Sequence, residues 1–194
     1  MKTILIFLYF LCILSETTHA QSLKDLFLKM PQEVCPSLSE YNRLEMVDNQ
    51  KNGKPMQTRN HFRTLSEMKE LTDDYAHIAV SKSSEKELKM LPTQEGAPII
   101  MVISTVLCDS LADSSVEFYD TNWQPLPLLT HFSLPPTDQF RRITINPTTN
   151  QLTVTSQNPF RLRTDGSDKP LEPQVFTNTF HWQTEESHFV QDGL

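Results

Sequence analysis

The sequence predicts an α+β fold in which two short N-terminal helices pack on a largely antiparallel β-sheet. Three features carry that expectation. Two capped segments with helical spacing open the chain after residue 20, short alternating segments follow from Phe62 onward, and the connections between Tyr75 and Asp120 are too short to hold crossover helices.

The first helix begins at Ser22, with Asp25 at capping-box spacing. Leu23, Leu26, Phe27 and Met30 fall at i, i+3, i+4 and i+7 on one face, and Pro31 stops the helix. The second is capped at Ser37 with Glu40, carries Leu38, Tyr41, Leu44 and Val47 as its apolar stripe, and ends at Asn52-Gly53. Among the strands, residues 75–80 set Ala76, Ile78 and Val80 on one face and Tyr75, His77 and Ala79 on the other. Residues 87–91 form a second strand, closed by Pro92. Residues 99–107 are nearly all apolar and β-branched, the composition of a central strand covered on both faces. Val116 and Phe118 alternate with Glu117 and Tyr119 before a turn at Asn122, and Leu152 and Val154 alternate with threonines. Phe176, Phe180 and Trp182 share a face opposite Val175, Thr177, Thr179 and His181. Prolines mark two long irregular connections, near residues 125–136 and 159–173.

Residues 1–20 have the three-part layout of a secretory signal peptide: Lys2, an apolar run from Ile4 to Leu14, and small residues at Thr18 and Ala20 before the cleavage point. The run is too short to span a bilayer. Removing 20 of 194 residues leaves 174, beginning at Gln21. That length fits one exported domain, 21–194, able to bury roughly 70% of its unfolded surface. Lys2 and Glu16 cancel, so the net charge stays at −7 and duplex nucleic acid is excluded as a natural partner. Arg141-Arg142, Arg161 and Arg163 read as scattered solvated charge. No later run of eighteen apolar residues exists, so no transmembrane segment is expected after signal removal. Cys12 lies inside the apolar run and does not fit a lipid-anchor site.

Cys35 and Cys108 survive cleavage, and in an oxidising compartment an even count suggests one bridge. Closing their 73-residue separation is worth about 4 kcal/mol on the chain-entropy estimate. Two separate thiols are the alternative.

The order of Leu71-Thr72-Asp73-Asp74-Tyr75, Met90-Leu91-Pro92 and Phe118-Tyr119-Asp120-Thr121-Asn122-Trp123-Gln124-Pro125-Leu126 resembles an uncharacterised family of exported domains from anaerobic gut bacteria. The resemblance covers most of the mature chain and is most specific at the tryptophan turn. It implies an envelope or secreted location and a helix-on-antiparallel-sheet fold, and no activity.

Several constellations invite chemistry. Asp73 and Asp74 are adjacent, so on a strand their carboxylates diverge, and Thr72-Asp73 reads more simply as a turn whose side chain accepts backbone N–H bonds. Asp109, Asp113 and Asp120 flank a loop between strands but lack the alternating ligands and glycine of a helix–loop–helix calcium site. The mature histidines form no HExxH and no zinc spacing, no serine sits in a GxSxG elbow, and four glycines leave no phosphate-cradling loop. Cys108 as a nucleophile would be abolished by a bridge to Cys35. The aromatics Trp123, Trp182 and Tyr119 fit a sugar or peptide groove, but strand aromatics at two-residue spacing more often form core. Trp123 reads first as packing over the end of the sheet, where Pro125 is expected to stop strand pairing.

The expectation is therefore an exported non-enzymatic binding or accessory protein of the cell envelope, periplasmic or secreted. Its partner is an envelope protein or glycan, and no metal or other cofactor is expected. The candidates for ligand contact are Trp123, Asp109, Asp113 and Tyr119, with no catalytic residue assigned. The alternative is a hydrolase with carboxylates assembled only in the fold. A third possibility is assembly through an exposed sheet edge.

Overall fold

The computed structural model describes residues 21–109, 111–134, 139–158 and 174–193. The leader at 1–20 and the connection at 159–173 lie outside them, as do Pro135 and Pro136. The described residues form eleven strands and three helices, and the sheet content dominates. In chain order these are α1 (Leu23–Lys29), α2 (Glu40–Lys51), β1 (Gln57–Arg59), β2 (Leu65–Leu71), β3 (Tyr75–Ser81), β4 (Ser84–Leu91), β5 (Ile99–Cys108), β6 (Leu111–Tyr119), β7 (Pro125–Leu126), α3 (Leu128–His131), β8 (Phe140–Ile145), β9 (Gln151–Asn158), β10 (Gln174–Gln183) and β11 (His188–Gln191).

The expected single sheet is in fact two. The first runs β1 through β7 in sequence order and the second runs β11-β10-β9-β8, antiparallel throughout. The strand period of two explains the layering. On the first sheet, Ala76, Ile78, Val80, Leu88, Ile100 and Val102 face α1 and α2 and meet Leu23, Leu26, Phe27, Met46 and Val47. The opposite residues, among them Ile99, Met101, Ile103, Val116 and Phe118, face the second sheet and meet Ile143, Leu152, Val154, Phe180 and Trp182. Strand β5 is thus covered on both faces, as its composition requires.

Helix α1 starts at Ser22, whose side chain accepts the Asp25 N–H, and it gives way at Met30 ahead of Pro31. Helix α2 departs from expectation. Its cap is Ser39, two residues later than Ser37, in a capping box closed by Asn42. Its buried face is also not the expected stripe: Asn42, Arg43, Met46 and Val47, at i, i+1, i+4 and i+5, point inward while Tyr41 and Leu44 are exposed. On that face Arg43 donates to Leu38 O (2.7 Å) and Met30 O (2.6 Å) and so ties together the loop between the helices.

The proline-rich stretch from Pro125 is less irregular than expected, because it contains β7 and α3. Strand β8 was not expected from sequence, although Arg142 on it is exposed, in keeping with the reading of Arg141-Arg142 as surface charge. Here Ile143 and Ile145 point into the core beneath alternating polar residues.

Candidate functional site

Strand β4 crosses the region where the second sheet ends. Three successive positions on its face, Glu85, Glu87 and Lys89, each engage β8 or the turn after it. Glu85 Oε1 accepts from Arg142 Nη2 at 2.9 Å, and Glu85 Oε2 lies 3.3 Å from His77 Nε2. Glu87 accepts the Tyr75 hydroxyl at 2.8 Å and the backbone N–H of Ile145. Lys89, only 1% exposed, donates to Pro147 O at 2.6 Å and to Asp74 Oδ2 at 2.5 Å.

Burial pushes the Glu87 carboxyl above the usual carboxylate range, against the bonds from Tyr75 and Ile145 that favour its charge. Tyr75 is pushed upward too, first by burial and then by the neighbouring Glu87. A buried carboxyl beside a phenol is the kind of pair that can serve acid–base chemistry. Here both partners sit in the seam between the sheets, and the bonds to Glu87 come from a strand on each side of it.

The seam continues along β8. As the edge of its sheet, β8 leaves the N–H groups of residues 141, 143 and 145 pointing away from β9. Arg141 N donates to Asp113 Oδ1 (3.3 Å), Ile143 N to Ser114 Oγ (3.0 Å), and Ile145 N to Glu87. The first sheet thereby supplies acceptors to the open edge of the second.

Beside the seam lies a groove of about 280 Å³ bounded by α3, β6 and β8. Leu128, Leu129, Phe132, Leu134 and Val116 form its apolar walls, and Ser114, Ser115 and Arg141 also line it. Leu129 is 80% exposed, so the apolar surface reaches the open rim.

The residues singled out in the sequence do not converge. Asp113 belongs to the β8 edge, as described. Asp109, at positive φ, lines a separate cleft of about 130 Å³ with Leu111, Arg142 and Gln157. Asp120 caps its turn by accepting Asn122 N and Gln124 N, both at 2.8 Å. The turn reading of residues 72–74 fits the geometry: Thr72 Oγ1 accepts the N–H groups of Asp74 and Tyr75, and Asp73 O accepts Leu23 N. Among the described residues, no group of three or more His, Cys, Asp and Glu is arranged to hold a metal ion.

Trp123 is buried at 6% exposure, with its indole N–H donating to Leu26 O at 3.1 Å. That carbonyl is one of the orphans at the C-terminal end of α1, since Met30 N turns to Phe27 O. Tyr119 packs against the Trp123 ring at 5.5 Å, and burial pushes its hydroxyl upward. Both candidates for ligand contact therefore have their aromatic surface in the helix-side core.

The expected Cys35–Cys108 bridge is corrected by the structure: both thiols are free. Cys35 is enclosed in the helix-side core, where burial raises its thiol, whereas Cys108 stands exposed at the end of β5. One position inside the core and one at a strand tip leave no shared site for a bond.

Glu85, Glu87 and Lys89 were not candidates from sequence. The signal that marks them is charge on both faces of a strand, Ser84-Glu85-Lys86-Glu87-Leu88-Lys89, that is flanked on either side by other strands. Charge at such interior positions asks for buried partners.

Comparison with known proteins places this architecture. No curated protein matches the chain. The fold is similar to the structure of a domain of an uncharacterized protein from Porphyromonas gingivalis W83, with a TM-score of 0.69 and 19% sequence identity. That similarity covers 89% of this chain and 98% of the other. A family model described as "Protein of unknown function (DUF3256)" matches residues 15–158, and the chain belongs to that family.

Proposed function

We propose that this protein is a non-enzymatic binding or accessory protein of the cell envelope. The observation that supports the reading is the open apolar groove between α3, β6 and β8. Apolar surface gathered at an open groove is characteristic of an interaction site. Its apolar walls suit an apolar side chain or the apolar face of a sugar. The leader-like layout of residues 1–20 supports export, to the periplasm or beyond the cell. No helix among the described residues is long and apolar enough to cross a membrane.

The test is affinity capture from envelope fractions with the wild type and with Leu129→Asp. Leu129 is exposed at the rim, so the charge should leave the fold intact. A partner or glycan retained by the wild type and lost by the variant, at equal melting temperature, supports the reading. Equal capture by both removes the groove from it.

A hydrolase is the second reading, favoured by the meeting of Glu85, Glu87, His77 and Tyr75 on one sheet face. Their structural engagement across the seam weighs towards binding.

A further inference from the structure

We propose that the chain forms a two-fold dimer in which residues 174–178 of β10 pair, antiparallel, with the same residues of a second copy. A sheet edge presents a row of main-chain donors and acceptors, and proteins cover, shorten or charge such edges. This molecule does so at several places. Strand β1 has three residues, and its carbonyls at Gln57 and Arg59 accept the side-chain amides of Asn49 and Asn42, each at 3.1 Å. Strand β7 has two residues and begins with Pro125. The outward N–H groups of β8 go to Asp113, Ser114 and Glu87.

Strand β10 is different. Its ten residues pair with β9 from Gln174 to His181, but β11 lines its other side only from Phe180 to Gln183. Among the described residues, no strand lines that other side over 174–178. The direction of the main-chain groups follows from one bond: Asp192 N donates to Thr179 O at 2.9 Å, on the β11 side. Alternation then turns the N–H and C=O of Val175 and Thr177 the same way, and those of Phe176 towards β9. Val175 is 55% exposed and Phe176 50%, one on each face of the sheet.

The segment Gln174-Val175-Phe176-Thr177-Asn178 holds no charge and no proline, so two copies meet without like-charge repulsion despite a net charge of −7 per chain. A two-fold axis at Phe176 sets Val175 opposite the second copy's Thr177 in hydrogen-bonded pairs. It also sets Phe176 opposite its own counterpart in a non-hydrogen-bonded pair. Among the described residues, the stretch without a neighbouring strand ends where Asp192 bonds Thr179, which matches the length such a pairing uses.

Sedimentation of the purified protein, with a cysteine cross-link, tests this directly. The wild type should sediment at twice the monomer mass. Thr177→Pro deletes an outward N–H while sparing the ladder to β9, and should sediment as a monomer with unchanged circular dichroism. In a Cys108→Ser background, Phe176→Cys should give a covalent dimer on mild oxidation, because opposed non-hydrogen-bonded Cα atoms lie about 4.5 Å apart, within disulfide reach. Asn178→Cys, opposite Gln174 instead of itself, should not. A wild type that is monomeric at the highest concentration reached overturns the proposal, as does a dimer that survives Thr177→Pro or a cross-link absent at Phe176.

Discussion

Trp123 shows how one residue joins two layers. Its φ of 62° is costly for a bulky side chain, and the Asp120 carboxylate holds the surrounding turn by accepting two backbone N–H groups. The indole then fills the space beside Tyr119 and closes the end of α1 through Leu26 O. Trp123→Ala should cost about 3–5 kcal/mol and lower the melting midpoint sharply. A variant that melts like the wild type would contradict this structural role. The thiols make a second test at this scale. Native protein should be alkylated at Cys108 and only unfolded protein at Cys35, whereas protection of both would revive the bridge. The tryptophan's corner was legible in sequence as a turn, although Pro125 opens β7 against Tyr119 instead of ending the pairing, and the distance between two cysteines was not legible. That distance is a property of the packed layers.

At the scale of elements, the alternation of apolar residues was enough to find β3, β9 and β10, because period two survives wherever one face is buried. Strand β5 was found by its unbroken apolar run, because both its faces are covered. Alternation failed for β8, where Arg141-Arg142 drew attention away from Ile143-Thr144-Ile145. It also misplaced the face of α2, where buried Asn42 and Arg43 serve loops and the β1 edge in place of an apolar stripe. The candidate groove was not legible at all, since α3, β6 and β8 meet only after the sheets stack. The polar edge of β8 carries its own prediction. Ser114→Ala strands the Ile143 N–H and breaks the 2.8 Å bond to Thr105, so it should cost about 1–3 kcal/mol. Amide exchange at Ile143 should quicken; unchanged protection there would show that the hydroxyl is not what holds the edge.

Across the whole molecule, helices and a second sheet enclose opposite faces of the seven-stranded sheet, and the seam at Glu87 links two of those layers. Its raised folded pKa fixes the sign of a pH effect. The favourable contribution of a neutral Glu87 is fully present below the ordinary value of 4.5 and is lost as pH rises through the folded value. Tyr75, His77 and Glu85 face the same carboxyl; Glu87→Gln removes its titration across this window and, with it, the charge that helps push Tyr75 upward. The stability advantage of Glu87→Gln over the wild type should therefore grow with rising pH across that window. Denaturation curves that stay parallel would show that burial is not the governing influence.

The proposed binding function rests on the groove, whereas the carboxylates of the seam bond across the sheets, so the two assignments can be tested separately. Calorimetric titration of a captured envelope partner separates them in one measurement. Leu129→Asp should weaken binding at least tenfold, equivalent to about 1.4 kcal/mol, while Glu87→Gln leaves affinity unchanged. Unchanged affinity in Leu129→Asp, or partner turnover that disappears in Glu87→Gln, would contradict that division.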